Sequence, residues 1–149
     1  MIQIAATKTD AKAAASVAAS ATHSHEIDTL GFEYVSIDVV YSPFASTTSN
    51  AAPVLRLTQH DVTGTGQTNI SGFVGGTDFT VAAGTTTGAN VNVGYVARFN
   101  VDMRGKRRFL TLYTSPGNTV AISSVARLGR AEEAPFSAAT KNVGTLVSG

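Results

Sequence analysis

Strict alternation of apolar and polar side chains is the pattern that most constrains this chain. Across residues 92–102, Val93, Tyr95, Ala97, Phe99 and Val101 fall on one side and Asn92, Val96, Arg98, Asn100 and Asp102 mostly on the other. A period of two is what a strand with one buried face produces, because successive side chains point to opposite sides of the backbone. The same reading predicts a strand over 32–41, where Val35, Ile37 and Val39 share a face. Further strands are expected over 54–60 behind Pro53, over 108–114 and over 119–130. Weaker signals cover 69–73 and 77–82, with Gly75 and Gly76 as a hairpin turn between them. Residues 103–107 (Met-Arg-Gly-Lys-Arg) read as a tight charged turn that returns 108–114 as the hairpin partner of 92–102.

In the last strand Val120, Ile122, Val125 and Leu128 are the core candidates. Their slipped spacing predicts a bulge at Ser123 and Ser124. Residues 44–52 and 85–90 read as loops, and no amphipathic helix is expected after residue 30. Short strands punctuated by Gly, Pro and Asn argue for an all-β fold, a β-sandwich or jelly-roll-like domain.

The first 30 residues differ. Residues 9–21 are dominated by alanine, with high helix propensity and a capping candidate in Thr9 or Asp10. Val17 is their only large apolar side chain, so a helix there has almost nothing to bury, and an isolated helix of this length is marginal in water. The expectation is an extended or partly helical N-terminal arm over 1–30, a sandwich domain over 31–135 and a small-residue tail over 136–149.

Only 14% of the 149 residues are charged and the net charge is +1, so neither nucleic acid nor a membrane is an expected partner. Ser and Thr make up about a fifth of the chain, and no cysteine is present, which excludes disulfides, thiolate metal sites and cysteine nucleophiles. No basic segment followed by an apolar run marks a secretory signal, and no stretch approaches a membrane span. The expected place of synthesis is the cytoplasm.

Candidate chemistry is sparse. His23, His25 and Glu26 lie close in sequence, with His60 and Asp61 further on. Nothing in the spacing joins the two groups into a zinc site, which needs three or four preorganised ligands, so solvated histidines are the expectation, along with a pH-sensitive contact as the alternative. No Gly-x-Ser-x-Gly elbow is present, and Asp38, Asp61, Asp78 and Asp102 stand singly rather than as a facing pair. The glycines at 64, 66, 72, 75 and 76 are not followed by a phosphate-binding helix. No catalytic residue, metal or cofactor is expected.

One concentration of charge remains, Arg104, Lys106, Arg107 and Arg108. A basic turn (Arg104, Gly105) runs into an aromatic-aliphatic strand (Arg108, Phe109, Leu110), and the later segment 126–135 carries Arg130, Ala131, Ala134 and Pro135. In these two segments the chain resembles small virion proteins of tailed bacteriophages, capsid-decoration or cement proteins among them. That resemblance covers about the last third of the sequence. It implies a trimeric β-sandwich or jelly roll seated on the outer surface of an icosahedral shell, with the major capsid protein as partner. The shell contacts expected on this basis are Ile2, Ile4 and Val17 in the arm and Arg104, Lys106 and Arg107 at the turn. Two other readings stand beside it, a tail, head-tail connector or fibre-base subunit, and a carbohydrate-binding adhesin module. The second is disfavoured by the absence of Trp and by aromatics placed mostly within strands.

Overall fold

The computed structural model describes residues 7–43, 53–81 and 94–131. Ile2, Ile4, the two expected loops, the start of the strand expected at 92 and the tail over 136–149 lie outside these residues. Among the described residues there are eight strands: β1 (Lys8–Val17), β2 (His23–Asp28), β3 (Phe32–Tyr41), β4 (Val54–His60), β5 (Thr68–Val74), β6 (Tyr95–Asp102), β7 (Phe109–Ser115) and β8 (Val120–Ala131). They form two four-stranded sheets, in the orders β1-β8-β3-β6 and β2-β7-β4-β5. Every pairing is antiparallel.

The two sheets face each other as a β-sandwich. From the first sheet, Val35, Ile37, Val39, Tyr41, Phe99, Val101, Ile122, Ala126 and Leu128 point inward. From the second, Ile27, Leu55, Leu57, Leu110 and Leu112 meet them. Each large side chain so buried contributes roughly 1.5–3 kcal/mol. A buried polar bond crosses between the sheets from the Tyr41 hydroxyl to Thr114 Oγ1 at 2.6 Å. Phe73 and Phe79 close one side of it against Phe99 at centroid distances of 6.0 and 5.8 Å.

The structure departs from the sequence expectations in four places. The helix considered for 9–21 is absent. Residues 8–17 are the edge strand β1, and 23–28 are the edge strand β2 of the opposite sheet, so most of the expected arm belongs to the sandwich. Intrinsic alanine propensity is weak beside a full backbone ladder, and β8 supplies one from Lys8↔Leu128 to Val17↔Val120. The bulge lies on β1, not on β8: Ala13 and Ala14 stand opposite the single residue Ser123, while β8 pairs with β3 without interruption.

Residues 103–108 do not form a hairpin. β6 pairs with β3 and β7 pairs with β2 and β4, so the charged turn crosses from one sheet to the other. Finally, no strand covers 77–81: residues 76–78 form a turn and Phe79 bridges back to Gly75. The amides of Thr77 and Asp78 both donate to the Val74 carbonyl, and the Asp78 carboxylate accepts from the Val74 amide at 2.9 Å. Gly75 approaches so closely that a Cβ there would lie 2.4 Å from Val81 Cγ2 and 2.7 Å from the Leu55 carbonyl oxygen.

Candidate functional site

Three connections meet at one end of the sandwich: 29–31 between β2 and β3, 61–67 between β4 and β5, and 103–108 between β6 and β7. The register places the start of β1 and the finish of β8 at this end as well. It carries Leu30 and Val62, both about two-thirds exposed. It also carries the basic cluster singled out in the sequence. Gly105, with a positive φ of 73°, allows the tight turn.

The cluster is largely neutralised by its neighbours. Arg104 is clasped by Asp102, which also accepts the Arg104 amide, and this arginine holds the Asp102 carboxyl down to about 2. Arg107 reaches Asp61 at 3.6 Å. Arg108 makes a two-point contact with Asp28 at 2.9 and 2.6 Å and lies over the Phe109 ring. Among the described residues Lys106 alone of this cluster makes no ion pair. The surface is therefore a mixture of apolar tips and compensated charge, whose residual field is screened within about 10 Å at ordinary ionic strength. Val17 does not join it. That side chain is 7% exposed and lies in the core at the far end of β1.

A second constellation lies inside the molecule, where the edges of the two sheets meet. β2 turns His23 and His25 inward, and β8 turns Ser124 toward them. His25 Nδ1 is 2.8 Å and His23 Nε2 3.2 Å from Ser124 Oγ. His25 Nε2 lies 3.4 Å from Asp10 on β1, and the Lys12 ammonium donates to the Ser24 carbonyl. Ser124 is fully buried, and the two histidines are 3% and 5% exposed. Burial, with help from Lys12, lowers the pKa of His23; burial likewise lowers that of His25, where the Asp10 bond and charge act in the opposite direction. Both rings are neutral near pH 7.

Serine, histidine and aspartate in series bring a hydrolase triad to mind, but the geometry is not that of one. The acid sits on Nε2 and the serine on Nδ1, the reverse of the working arrangement, and the hydroxyl has no route to substrate. His60 is a separate case. Its ring stacks on Phe109 at 5.4 Å, with Nδ1 2.8 Å from the Val62 carbonyl and Nε2 2.8 Å from Thr111 Oγ1. Glu26 stands 3.4 Å from Nε2 and accepts the Gly64 amide. His60 thus pins the 61–67 loop over the outer face of the second sheet. Among the described residues no three histidine or carboxylate side chains are placed to hold a metal ion.

The outer face of the first sheet holds the third feature. Asp38 on β3 is flanked by Arg98 on β6, with contacts of 2.5 and 2.9 Å, and by Arg127 on β8 at 2.8 Å. Arg98 first, and then Arg127, hold the Asp38 carboxyl below its usual range against the cost of its burial. Around this clamp the face carries small and apolar residues, Val40, Val96, Val125, Ala11 and Ala121. Sequence reasoning missed both Asp38 and Ser124. Continuous alternation along β8 puts Ser124 in line with Val120, Ile122, Ala126 and Leu128, and a serine at a core position is the signal that marks a buried polar partner.

No protein-family model and no curated protein matches this chain.

Proposed function

We propose that this protein is a structural virion component, a capsid-decoration protein that binds the major capsid protein as a homotrimer and braces the shell from outside. The observation that carries the proposal is the strand pairing. β1 pairs with β8, β2 with β7, β3 with β6 and β4 with β5, and the chain alternates between the two sheets except at β4 and β5, which are neighbours in one sheet. This nested order supports reading the sandwich as an eight-stranded jelly roll, an architecture shared by viral capsid and lectin domains. Two further features favour a bracing role. The Ser124–His23–His25 group is buried, and the end with the exposed Leu30 and Val62 offers apolar surface for packing against protein.

The lectin branch of the same architecture fits less well. Sugar binding uses open aromatic platforms, whereas Tyr113 is covered by Arg56 at 5.2 Å and Phe109 by Arg108 at 4.7 Å. In the proposed arrangement the end bearing Leu30, Val62 and Lys106 meets the capsid. Three such contacts per trimer would add through multivalency without any one being strong. Burial of that surface across neighbouring capsid subunits raises the barrier to rupture under internal DNA pressure.

The test is cryo-EM of the virion that carries the protein, with co-sedimentation of the purified chain on undecorated capsids. Trimeric density over the three-fold positions of the shell is expected. Density confined to the tail, or no capsid binding at all, overturns the proposal. Truncation must remove only residues 1–6, because β1 begins at Lys8.

A further inference from the structure

We propose that β1 is an acid-releasable strand, latched to the sandwich by the His23–Ser124–His25 array and freed when that array takes up protons. The inference concerns the fold itself and stands apart from the functional reading above.

The argument begins with a count of hydrogens. Ser124 Oγ has one hydrogen to give and lies within reach of two ring nitrogens. Asp10 beside His25 Nε2 favours a hydrogen on that nitrogen, which leaves His25 Nδ1 as an acceptor. Ser124 therefore donates to His25 Nδ1 and accepts from His23 Nε2–H. With both rings neutral the serine hydroxyl and the two ring nitrogens facing it are satisfied together, and no buried side-chain polar atom among the described residues is left unpaired.

An added proton breaks this scheme. On His25 it must settle at Nδ1, turning the acceptor into a donor and leaving the serine hydroxyl without a target. On His23 it settles at Nδ1 and places a second positive charge beside Lys12. A pair of charged rings here would share one oxygen inside a nearly dry seam, at a steep desolvation cost.

The groups facing the array offer little relief. β1 contributes Lys8, Asp10 and Lys12, two cations against one carboxylate. β7 presents Leu112 and Thr114 and no titratable group, and β8 flanks Ser124 with Ile122 and Ala126. β3 presents Tyr41, whose phenol is pushed up to about 12 by burial and stays neutral. Glu26 and Asp28 lie on the opposite face of β2, engaged with His60 and Arg108.

β1 is the strand that yields in this proposal: it meets the second sheet through the array, and its hold on the first sheet is the β8 ladder alone. It is an edge strand, interrupted by a bulge, and Val17 is its only large buried side chain. Its links to the second sheet are those Asp10 and Lys12 make across this seam. The other strands share the central core.

The experiment is amide hydrogen exchange on the full chain between pH 7.5 and 5.0, corrected for intrinsic rates. Each neutral buried histidine makes the opening equilibrium rise up to tenfold per pH unit below about 6.5, so two give up to about 100-fold. Protection over 8–17 should fall by this amount while β3 and β7 keep theirs. The H23Q/H25Q variant should flatten the response, and either single variant should reduce it to about tenfold per unit. Imidazole titration of the unmodified protein by NMR provides a readout that needs no variant, with both rings expected below 6.5. Unchanged β1 protection at low pH, loss of β1 only together with β3 and β7, a retained response in H23Q/H25Q, or ordinary histidine titration would each overturn the proposal.

Discussion

Replacing Ser124 by alanine tests the buried seam directly, because it makes a core position more apolar and should still destabilise the protein. Ser124 sits in line with Ile122 and Ala126, so packing alone gives no reason to keep a hydroxyl there. Its loss leaves His23 Nε2–H and His25 Nδ1 without partners, on rings only 3% and 5% exposed. An orphaned buried polar group costs about 1–3 kcal/mol. The apolar gain of the new side chain recovers less than about 1 kcal/mol. With two groups orphaned, a net loss of about 1–5 kcal/mol follows, which for a chain of this size lowers Tm by about 2–20 °C. Urea unfolding at pH 7.5, with an unchanged m-value, measures the free energy. Ser123→Ala is the control. Its side chain points to the outer face and is only partly buried, so its effect should stay within about 0.5 kcal/mol. The reasoning is refuted if Ser124→Ala lies within that margin of the parent, or if both serines cost the same.

Two other substitutions probe separate features. Asp38→Ala should cost about 1–3 kcal/mol, since it strands Arg98 and Arg127 side by side while their own exposure screens part of the loss. Removing Arg98 should then cost less in the Asp38→Ala background than in the parent, as read from a double-mutant cycle. Because the Asp38 carboxyl titrates below its unfolded value of 3.8, its stabilisation is present above that pH and lost as the pH falls further. Gly75→Ala should destabilise by about 1–3 kcal/mol through overpacking against Val81 and Leu55. Gly129→Ala, with open space at the Cβ position, should be near neutral, and thermal melts of the two variants give the comparison.

Most strands were legible from periodicity. β3 and β4 occupy the bounds that alternation and Pro53 imply, and β5, β7 and β8 fall within a residue or so of expectation. What periodicity could not supply was pairing. A short charged turn such as 103–108 reads as a hairpin because local sequence says nothing about which sheet the next strand joins. β1 and β2 escaped for different reasons. The alanines of β1 carry no apolar stripe, since an edge strand can bury one large side chain and still be held by its ladder. β2 does alternate, but its inward residues are His23, His25 and Ile27, and a buried histidine looks like a solvated one until its partner is known. That partner, Ser124, lies a hundred residues downstream.

The nested pairing of strands also orders the events of folding. The innermost pair closes through Gln59↔Thr68, a short loop. The next is sealed at Tyr41↔Tyr95, then Asp28↔Phe109, and last Val17↔Val120. Each closure confines a longer stretch of chain than the one before, and the entropic cost of confinement grows with that length. A nascent chain therefore holds β1 unpaired until β8 has emerged. Throughout synthesis the small, uncharged side chains of Ala13, Ala14 and Ala15 wait beside Lys8, Asp10 and Lys12, whose charges keep the waiting strand soluble.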